Sequence, residues 1–320
     1  MSSFTIPIID VSAFAVDSGG DDLEERRSAA GLELRKACSE VGFCYIKGHG
    51  CPDELLSSTF QSLKDLFDLP KEVKENLLAT NNKLYRGYNA VGGAHSCTPD
   101  EKSALPDLKQ SFTLGAEGDK SPMHGPNQFP PRNVCPGFET TVRKYWSNLL
   151  DVVAVRLMRA LASSLNLDLD YFCKNCDDPV AQMVMLRYPP NREARRGCGA
   201  HTDCGFLTIL AQEDGTEGLE VRSTDGNWVK APALPGTFVI NLGDMAAYWS
   251  NDLYQSTEHR VFNSSSTRSR HSIPFFINLN FDCRVGCLPG CCNDDAPAKY
   301  PPVTAGEYIM EKLGLMHMMK

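Results

Sequence analysis

The strongest constraint on this chain is the spacing of three motifs in its C-terminal half. His201-Thr-Asp203 is followed by His259, 58 residues after His201, and then by Arg270-His-Ser272. Residues two apart on a β-strand point to the same side, so His201 and Asp203 can reach one metal ion from one strand. His259 must then arrive on a second strand, and Arg270 with Ser272 on a third. The chain must therefore fold so that three separate strands converge on one point.

These residue types predict iron chemistry. Two imidazoles and one carboxylate, from His201, Asp203 and His259, form the smallest ligand set that holds Fe(II) on one face and leaves positions open for a co-substrate and O2. Arg270 and Ser272 offer a rigid guanidinium fork and a hydroxyl to a carboxylate. A zinc hydrolase is disfavoured because no positioned general base accompanies the ligands and the arginine would be unused. The motifs together predict an oxidation by O2.

The composition indicates an ordinary soluble globular protein and argues against two classes of partner. The 320 residues carry 32 basic and 40 acidic side chains, a net charge of -8, so no basic footprint for nucleic acid or an anionic membrane exists. The N-terminus lacks the basic start and apolar run of a secretory signal. No uninterrupted apolar stretch of about 18 residues could cross a bilayer. We therefore expect no nucleic acid and no membrane partner.

The cysteines indicate a reducing compartment. There are 13, an odd number scattered over a mid-sized chain, which is unlike the dense even framework of a small secreted domain. Cysteines cluster at Cys173 with Cys176 and at 283–292, and the second cluster has poor spacing for a zinc site. We interpret most cysteines as packing or surface residues, with structural zinc or a regulatory disulfide as the less favoured alternative. The predicted localisation is cytoplasmic.

The hydrophobic pattern changes from helical to strand-like along the chain. Helical periodicity covers 21–40, 53–67, 71–78 and 136–167, and the segment 83–135 reads as irregular. From about residue 180, short alternating runs predict strands at 182–188, 206–212, 218–222, 227–230, 237–241 and 272–280. Two earlier strands are predicted at 6–12 and 43–46. This pattern favours an α+β protein in which N-terminal helices clasp an antiparallel β-barrel or jelly roll.

Several motifs resemble the 2-oxoglutarate/Fe(II)-dependent dioxygenases, in the branch that includes isopenicillin N synthase. The resemblance covers nearly the whole chain. Its motifs are Ile6-Pro-Ile-Ile-Asp10, Arg86-Gly-Tyr88, Tyr188-Pro-Pro190, Ala200-His-Thr-Asp203, Gly218-Leu-Glu-Val221, Val239-Ile-Asn-Leu-Gly-Asp244, Thr257-Glu-His-Arg-Val261 and Arg270-His-Ser-Ile-Pro-Phe-Phe276. The resemblance implies a double-stranded β-helix (jelly-roll) core with iron in its mouth. It also implies that Arg270, Ser272 and Tyr188 bind 2-oxoglutarate as co-substrate.

One departure from the family pattern means that the sequence does not settle whether 2-oxoglutarate is the co-substrate. Many relatives carry Asn two residues before the tyrosine, whereas this chain has Leu186, which cannot hydrogen-bond a carboxylate. The Arg-x-Ser pair also occurs in relatives that do not use 2-oxoglutarate. The favoured function is therefore a non-haem oxygenase that hydroxylates, desaturates or cyclises a small organic molecule, releasing succinate and CO2. The alternatives are an Fe(II) oxidase of the same fold and a non-catalytic jelly-roll binding protein.

Four regions and three substrate contacts complete the prediction. The regions are 5–135 (helical and mixed), 136–179 (long supporting helix and connector), 180–285 (jelly roll) and 286–320 (C-terminal segment). Phe276 shares strand parity with Arg270 and Ser272 and is predicted to point inward, either into the core or as a wall of the substrate pocket. Tyr88 and Lys109 come from the irregular segment and are predicted to reach the same pocket. The oligomeric state is left open.

Overall fold

The computed structural model describes residues 5–92, 107–190, 196–262, 265 and 267–318, with side chains as far as residue 314. Its helices are α1 (Leu23–Glu40), α2 (Asp53–Asp68), α3 (Lys71–Glu75), α4 (Phe138–Asn148), α5 (Val155–Ser164), α6 (Asp244–Trp249) and α7 (Ala305–Met318). A π-helical turn, Leu149–Ala154, joins α4 to α5 in one continuous helix. Within the described residues, no helix has both the length and the apolar character that a membrane span requires.

Fourteen strands occur in the described part of the chain. They are β1 (Ile8–Asp10), β2 (Phe43–Lys47), β3 (Gly87–Asn89), β4 (Gln110–Gly115), β5 (Pro179–Tyr188), β6 (Arg196–His201), β7 (Leu207–Gln212), β8 (Leu219–Arg222), β9 (Trp228–Lys230), β10 (Phe238–Leu242), β11 (His259–Phe262), β12 (Arg270–Asn280), β13 (Arg284–Val285) and β14 (Val303–Thr304). Three turns of 3-10 helix lie at Ser12–Phe14, Ala79–Asn81 and Cys173–Asn175.

Two sheets of unequal size form the core. The large sheet has eight strands in the order β1-β2-β10-β7-β12-β5-β4-β3, and the small sheet has four in the order β6-β11-β8-β9. All pairings are antiparallel except that of β1 with β2. The predicted fold class is confirmed: a jelly-roll core carries helices that come mainly from the N-terminal half.

The two faces of the large sheet have different partners. One face packs on the helices, where side chains such as Ile209, Phe275 and Met183 are fully buried in the main core cluster. The opposite face looks toward the small sheet, and Tyr45, Leu210 and other inward side chains form a second apolar cluster with residues of β6, β8 and β11. Residues two apart on each strand therefore divide between a helix-facing and an inward face. The inward face holds the candidate site.

The segment predicted as irregular contributes to the large sheet. β3 and β4 lie within 83–135 and extend the sheet beyond β5. Their sequences alternate weakly and are flanked by glycine and proline, which explains why no strand was predicted there. The helix predicted over 136–167 forms as α4, the π turn and α5. The short helix α6 and the C-terminal helix α7 were not predicted.

Candidate metal centre

The three predicted metal ligands converge in the structure. His201, Asp203 and His259 form a group whose potential ligand atoms all lie within 4.8 Å of one another, and it is the only such group among the described residues. The Nε2 atoms of His201 and His259 lie 3.8 and 3.7 Å from Oδ1 of Asp203. His201 ends β6 and His259 begins β11, and the two residues are direct neighbours in the small sheet. Sheet pairing therefore brings together side chains 58 residues apart.

Asp203 reaches the histidines from a turn. The prediction that His201 and Asp203 share one strand is wrong for Asp203, because β6 ends at His201. The backbone N–H of Asp244 donates to the carbonyl of Asp203 at 2.7 Å and fixes this turn. Gly243 makes the approach possible, since a Cβ there would lie 2.6 Å from the same carbonyl oxygen and 2.2 Å from that of Gly205.

Hydrogen bonds orient the two imidazoles so that their remaining nitrogens face the carboxylate. Nδ1 of His201 lies 2.7 Å from the carbonyl oxygen of Gly199, and Nδ1 of His259 lies 3.1 Å from that of Thr257. Each ring therefore presents Nε2 as the ligand atom, the arrangement common among metal-bound histidines. Both bonds run to the residue two positions earlier in the chain, so each ring is fixed by its own backbone.

The carboxylate of Asp203 is fixed in the same way. Thr208 Oγ1 and Asn241 Nδ2 both donate to Oδ2 of Asp203, at 2.6 and 2.7 Å. Oδ1 is the oxygen that faces the two histidines. Two oriented Nε2 atoms and one oriented oxygen on one side of a cavity fit a ferrous ion with open positions.

The pKa shifts differ among the three side chains of the cluster. Burial lowers the pKa of His201, but Cys198 and Asp203 outweigh it and raise that pKa to about 9, so His201 releases a proton when metal binds. Burial opposes ionisation of Asp203, but the two histidines and the hydrogen bonds from Thr208 and Asn241 outweigh it and lower the pKa of Asp203. Burial, together with the neighbouring His201, lowers the pKa of His259 to about 4, which keeps that imidazole neutral. The side chain is then ready to ligate, since metal binding requires the neutral imidazole and the ionised carboxylate.

The predicted carboxylate anchor is buried beside this cluster. Arg270 is 2 % exposed, and its guanidinium donates to Ser272 Oγ at 3.1 Å and to Gln212 Oε1 at 2.7 Å. It also lies over the ring of Tyr188, 5.0 Å from the ring centroid. Its Nε is buried with no hydrogen-bond partner among the described residues. A buried cation with an unused donor calls for an anion, because an unsatisfied buried donor costs about 1–3 kcal/mol.

Sequence comparison connects this geometry to a family. A model of the 2OG-Fe(II) oxygenase superfamily matches residues 180–279, and a model described as the N-terminal region of non-haem dioxygenase in morphine synthesis matches residues 6–132. The chain is 37% identical over 322 residues to a homoarginine-6-hydroxylase of Oryza sativa subsp. japonica, covering 96% of each chain. The chain belongs to the 2-oxoglutarate/Fe(II)-dependent oxygenase superfamily. It is an oxidoreductase whose cofactor is Fe(II) and whose co-substrates are 2-oxoglutarate and O2.

Further relatives and solved structures agree with this membership. A 2-oxoglutarate-dependent dioxygenase of Didymella fabae is 33% identical, with 89% of this chain and 88% of the relative covered. The crystal structure of a full-length Neurospora crassa protein in complex with alpha-KG superposes with a TM-score of 0.86 at 28% identity, over 98% of this chain and 97% of that one. The rice dioxygenase for auxin oxidation gives a TM-score of 0.75 at 26% identity, over 97% and 96% of the two chains.

Lys109, a predicted substrate contact, lies on the inward side of the large sheet beside Cys198 of β6. It lies just before β4, where its Nζ is 3.2 Å from Oδ2 of Asp107 and donates to Sγ of Cys198 at 3.2 Å. Burial opposes the charge on Lys109, but Cys198, Tyr188 and Asp107 outweigh it and raise the pKa of the ammonium. Lys109 is thus a buried cation next to the tyrosine of the predicted co-substrate site.

The other two predicted substrate contacts lie on opposite faces of the large sheet. Phe276 is half-buried and pairs with Thr208, whose hydroxyl reaches Asp203, so it shares the inward face with the metal cluster. Tyr88 instead faces the helices: it is buried in the main core, and its ring lies 6.4 Å from that of Phe67 on α2. The structure does not bring Tyr88 to the site.

Three site residues escaped the sequence analysis. Gln212 holds the guanidinium of Arg270 and also donates to the carbonyl of Ala231 at 3.1 Å. Asp107, 1 % exposed, accepts the backbone N–H of Gly199 at 3.2 Å and so supports the peptide that orients His201. Cys198 lies 3.9 Å from Nδ1 of His201. Gln212 shares the inward side of β7 with Thr208 and pairs with Ser272, so alternation along the strand could have suggested it. No local pattern indicates that residues 107–109 lie beside β6.

Proposed function

We propose that this oxygenase hydroxylates a small organic molecule, with His201, Asp203 and His259 as the iron ligands and Arg270, Ser272 and Tyr188 as the binding site for 2-oxoglutarate. The observation that carries the assignment is the convergence of two oriented imidazoles and one oriented carboxylate beside a buried arginine. Hydroxylation, as opposed to desaturation or cyclisation, is supported by the relatives described as hydroxylases. Iron, when bound, supplies the activation of O2.

The protein residues provide binding and orientation. Arg270 and Ser272 would hold the far carboxylate of 2-oxoglutarate, with Gln212 fixing the guanidinium in place. Tyr188 lies opposite Arg270 on the neighbouring strand and would donate its phenol hydrogen to the co-substrate. Leu186, at the position where many relatives carry Asn, belongs to the inward apolar cluster and offers no hydrogen bond to the co-substrate. Phe276 and Lys109 border the space left for the substrate.

The decisive experiment measures succinate release. Purified protein is incubated with Fe(II), 2-oxoglutarate, ascorbate and a library of small metabolites that includes homoarginine and thymine, the molecules named for two similar proteins. We expect one compound to stimulate succinate release and to gain one oxygen atom in an equal amount. Asp203→Ala serves as the matched inactive control. Substrate oxidation without succinate would instead support the oxidase, and failure to bind Fe(II) or Mn(II) would support a binding protein.

We also propose a cytoplasmic location. All twelve cysteines in the described part of the chain are free thiols, although several are close neighbours in the loop at 283–292. Free thiols persist in reducing compartments. Localisation of a fluorescently tagged full-length chain tests this, and secretion of the intact protein would contradict it.

A further inference from the structure

We propose that Lys109 and Cys198 can be joined by a covalent oxygen bridge, Nζ–O–Sγ, when the enzyme meets O2 without its substrate. The proposal rests on the proposed function, because it takes its oxidant from the established co-substrate O2 and its location from the assigned ligand His201. It assigns Lys109 and Cys198 a reaction beyond the hydroxylation.

The geometry brings an amine and a thiol into contact inside a buried site. Nζ of Lys109 lies 3.2 Å from Sγ of Cys198, and both side chains are largely shielded from solvent. A bridging oxygen needs only small rotations of these two side chains, because the lysine stem is flexible. Cys198 on β6 pairs with Val261 on β11. The register of the two strands shifts between this pair and the His201–His259 pair, so Cys198 lies on the same side of the small sheet as His201.

The oxygen-handling centre is adjacent to this pair. Sγ of Cys198 lies 3.9 Å from Nδ1 of His201, the first of the assigned iron ligands. Cys198 thus lies on the side of the imidazole that faces away from the metal, and it belongs to the same inward apolar cluster as Tyr188 of the proposed co-substrate site. Oxygen that reaches this site without being consumed by substrate oxidation is therefore close to the thiol. Cys44 offers a comparison within the same chain, because it is equally buried but packs among the apolar side chains of the main core.

The reaction balances with one molecule of O2. The nitrogen of Lys109 and the sulfur of Cys198, which lie 3.2 Å apart, carry three protons between them, of which one stays on the nitrogen and two leave in the water that forms. The S–H bond and one N–H bond then break, and N–O and S–O bonds form. The sulfur and the nitrogen each lose two electrons, and the four electrons reduce O2 to the bridging oxygen atom and one water molecule. Two equivalents of a dithiol reductant reverse the link: four electrons and four protons reduce the S–O and N–O bonds and return the thiol, the amine and one water molecule, as expected for a reversible oxidation state of cysteine.

The bridge would tie β4 to β6 next to the metal cluster. It replaces the buried ammonium by a neutral group and restrains the strand that carries His201. We therefore expect the linked enzyme to lose succinate-forming activity and to regain it on reduction. The pair would thus switch the enzyme off when it meets O2 without its substrate.

The test is mass spectrometry of the full-length enzyme. Protein loaded with Fe(II) is exposed to air and 2-oxoglutarate without substrate, alkylated and digested. We expect a cross-linked peptide pair containing Lys109 and Cys198, heavier than the sum of the two free peptides by about 14 Da, that is, one oxygen less two hydrogens. The link should disappear after treatment with dithiothreitol, and it should be weaker in samples saturated with substrate.

Variants and a second readout separate the possible failures. Cys198→Ser and Lys109→Arg should each abolish the cross-linked pair, whereas Cys44→Ser should keep it. A Cys198 that remains fully alkylatable, or that is oxidised while Lys109 stays free, overturns the proposal. Succinate release with each substrate is measured after treatment with dithiothreitol, so that the link cannot mask activity. Succinate release by protein that never showed the link overturns the link alone, and no succinate with any substrate after reduction overturns the proposed function.

Discussion

At the scale of single residues, Arg270 should control co-substrate affinity. Its guanidinium is buried against Ser272 and Gln212, and truncating one partner of a buried charge pair costs about 2–5 kcal/mol. Arg270→Ala should therefore weaken 2-oxoglutarate binding roughly 30- to several-thousand-fold. Titration calorimetry of the Mn(II)-loaded protein measures this. Ser272→Ala, which removes one neutral hydrogen bond of about 0.5–1.5 kcal/mol, should cost roughly tenfold or less. An unchanged affinity in the arginine variant would remove Arg270 from this role.

Thr208 should tune metal binding without touching the metal. Its hydroxyl donates to the oxygen of Asp203 that faces away from the histidines. Thr208→Val keeps the shape of the side chain and removes this bond, so the carboxylate loses one of its two fixed partners. We expect metal affinity to fall about 10- to 100-fold, as for other groups that orient metal ligands. Competition between Co(II) and a chelator gives the affinity. Thr237→Val, at a turn outside the cluster, is the control, and equal affinities in both variants would contradict the prediction.

At the scale of elements, Asp107 connects the start of β4 to the metal-bearing strand β6. It pairs with Lys109 and accepts the N–H of Gly199, whose carbonyl orients His201. Asp107→Ala should destabilise the protein by about 3–5 kcal/mol, the usual result of removing one partner of a buried ion pair. Asp107→Asn keeps an acceptor for Gly199 and should retain more Co(II) affinity and a more native visible spectrum. Denaturant unfolding and Co(II) absorption report the two effects, and identical Co(II) spectra in both variants would exclude an effect on His201.

A second contact, between β7, β12 and α2, should make stability depend on pH. His271 lies 2.8 Å from Glu213, which also pairs with Lys64 of α2 at 2.7 Å. Burial lowers the pKa of His271 more than Glu213 raises it, and despite burial Lys64 and His271 lower the pKa of Glu213. In both cases the unfolded chain binds more protons, so stability rises with pH. It should be lost as pH falls below about 6.5 for His271, and further below about 4.5 for Glu213.

The measurement is urea unfolding at pH 7.5 and at pH 5.5, values that bracket roughly the ordinary pKa of histidine. We expect the wild-type protein to lose stability at the lower pH and His271→Asn to lose less. Asp170→Asn, which removes an ion pair with Arg159 on the helical side, should lose as much as wild type. Equal losses in all three proteins would show that His271 does not carry the effect.

The strands around the site show which features of the fold could be predicted from the sequence and which could not. β7 and β12 are runs rich in apolar and β-branched residues, so their presence and the shared parity of Arg270, Ser272 and Phe276 were predictable. Asp203 was placed on a strand because spacing alone cannot distinguish a strand end from the turn that follows. Tyr88 was misplaced because β3 is only three residues long and carries too little pattern to show which way each side chain faces. Neighbours such as Asp107 and Gly199 meet only through tertiary pairing, which no local pattern encodes.

At the scale of the whole molecule, the metal cluster should stabilise the fold. His201 and His259 lie on two strands of the small sheet and Asp203 lies in the turn before β7, so one bound ion cross-links segments far apart in sequence. A ligand that binds only the native state stabilises it by about 2.7 kcal/mol at a concentration 100 times its dissociation constant. For a chain of this size that corresponds to a rise in melting temperature of roughly 4 °C. Anaerobic calorimetry with and without Mn(II) measures it. Asp203→Ala should show no rise, and a Mn(II)-dependent rise of the same size in that variant would mean that the ion binds elsewhere.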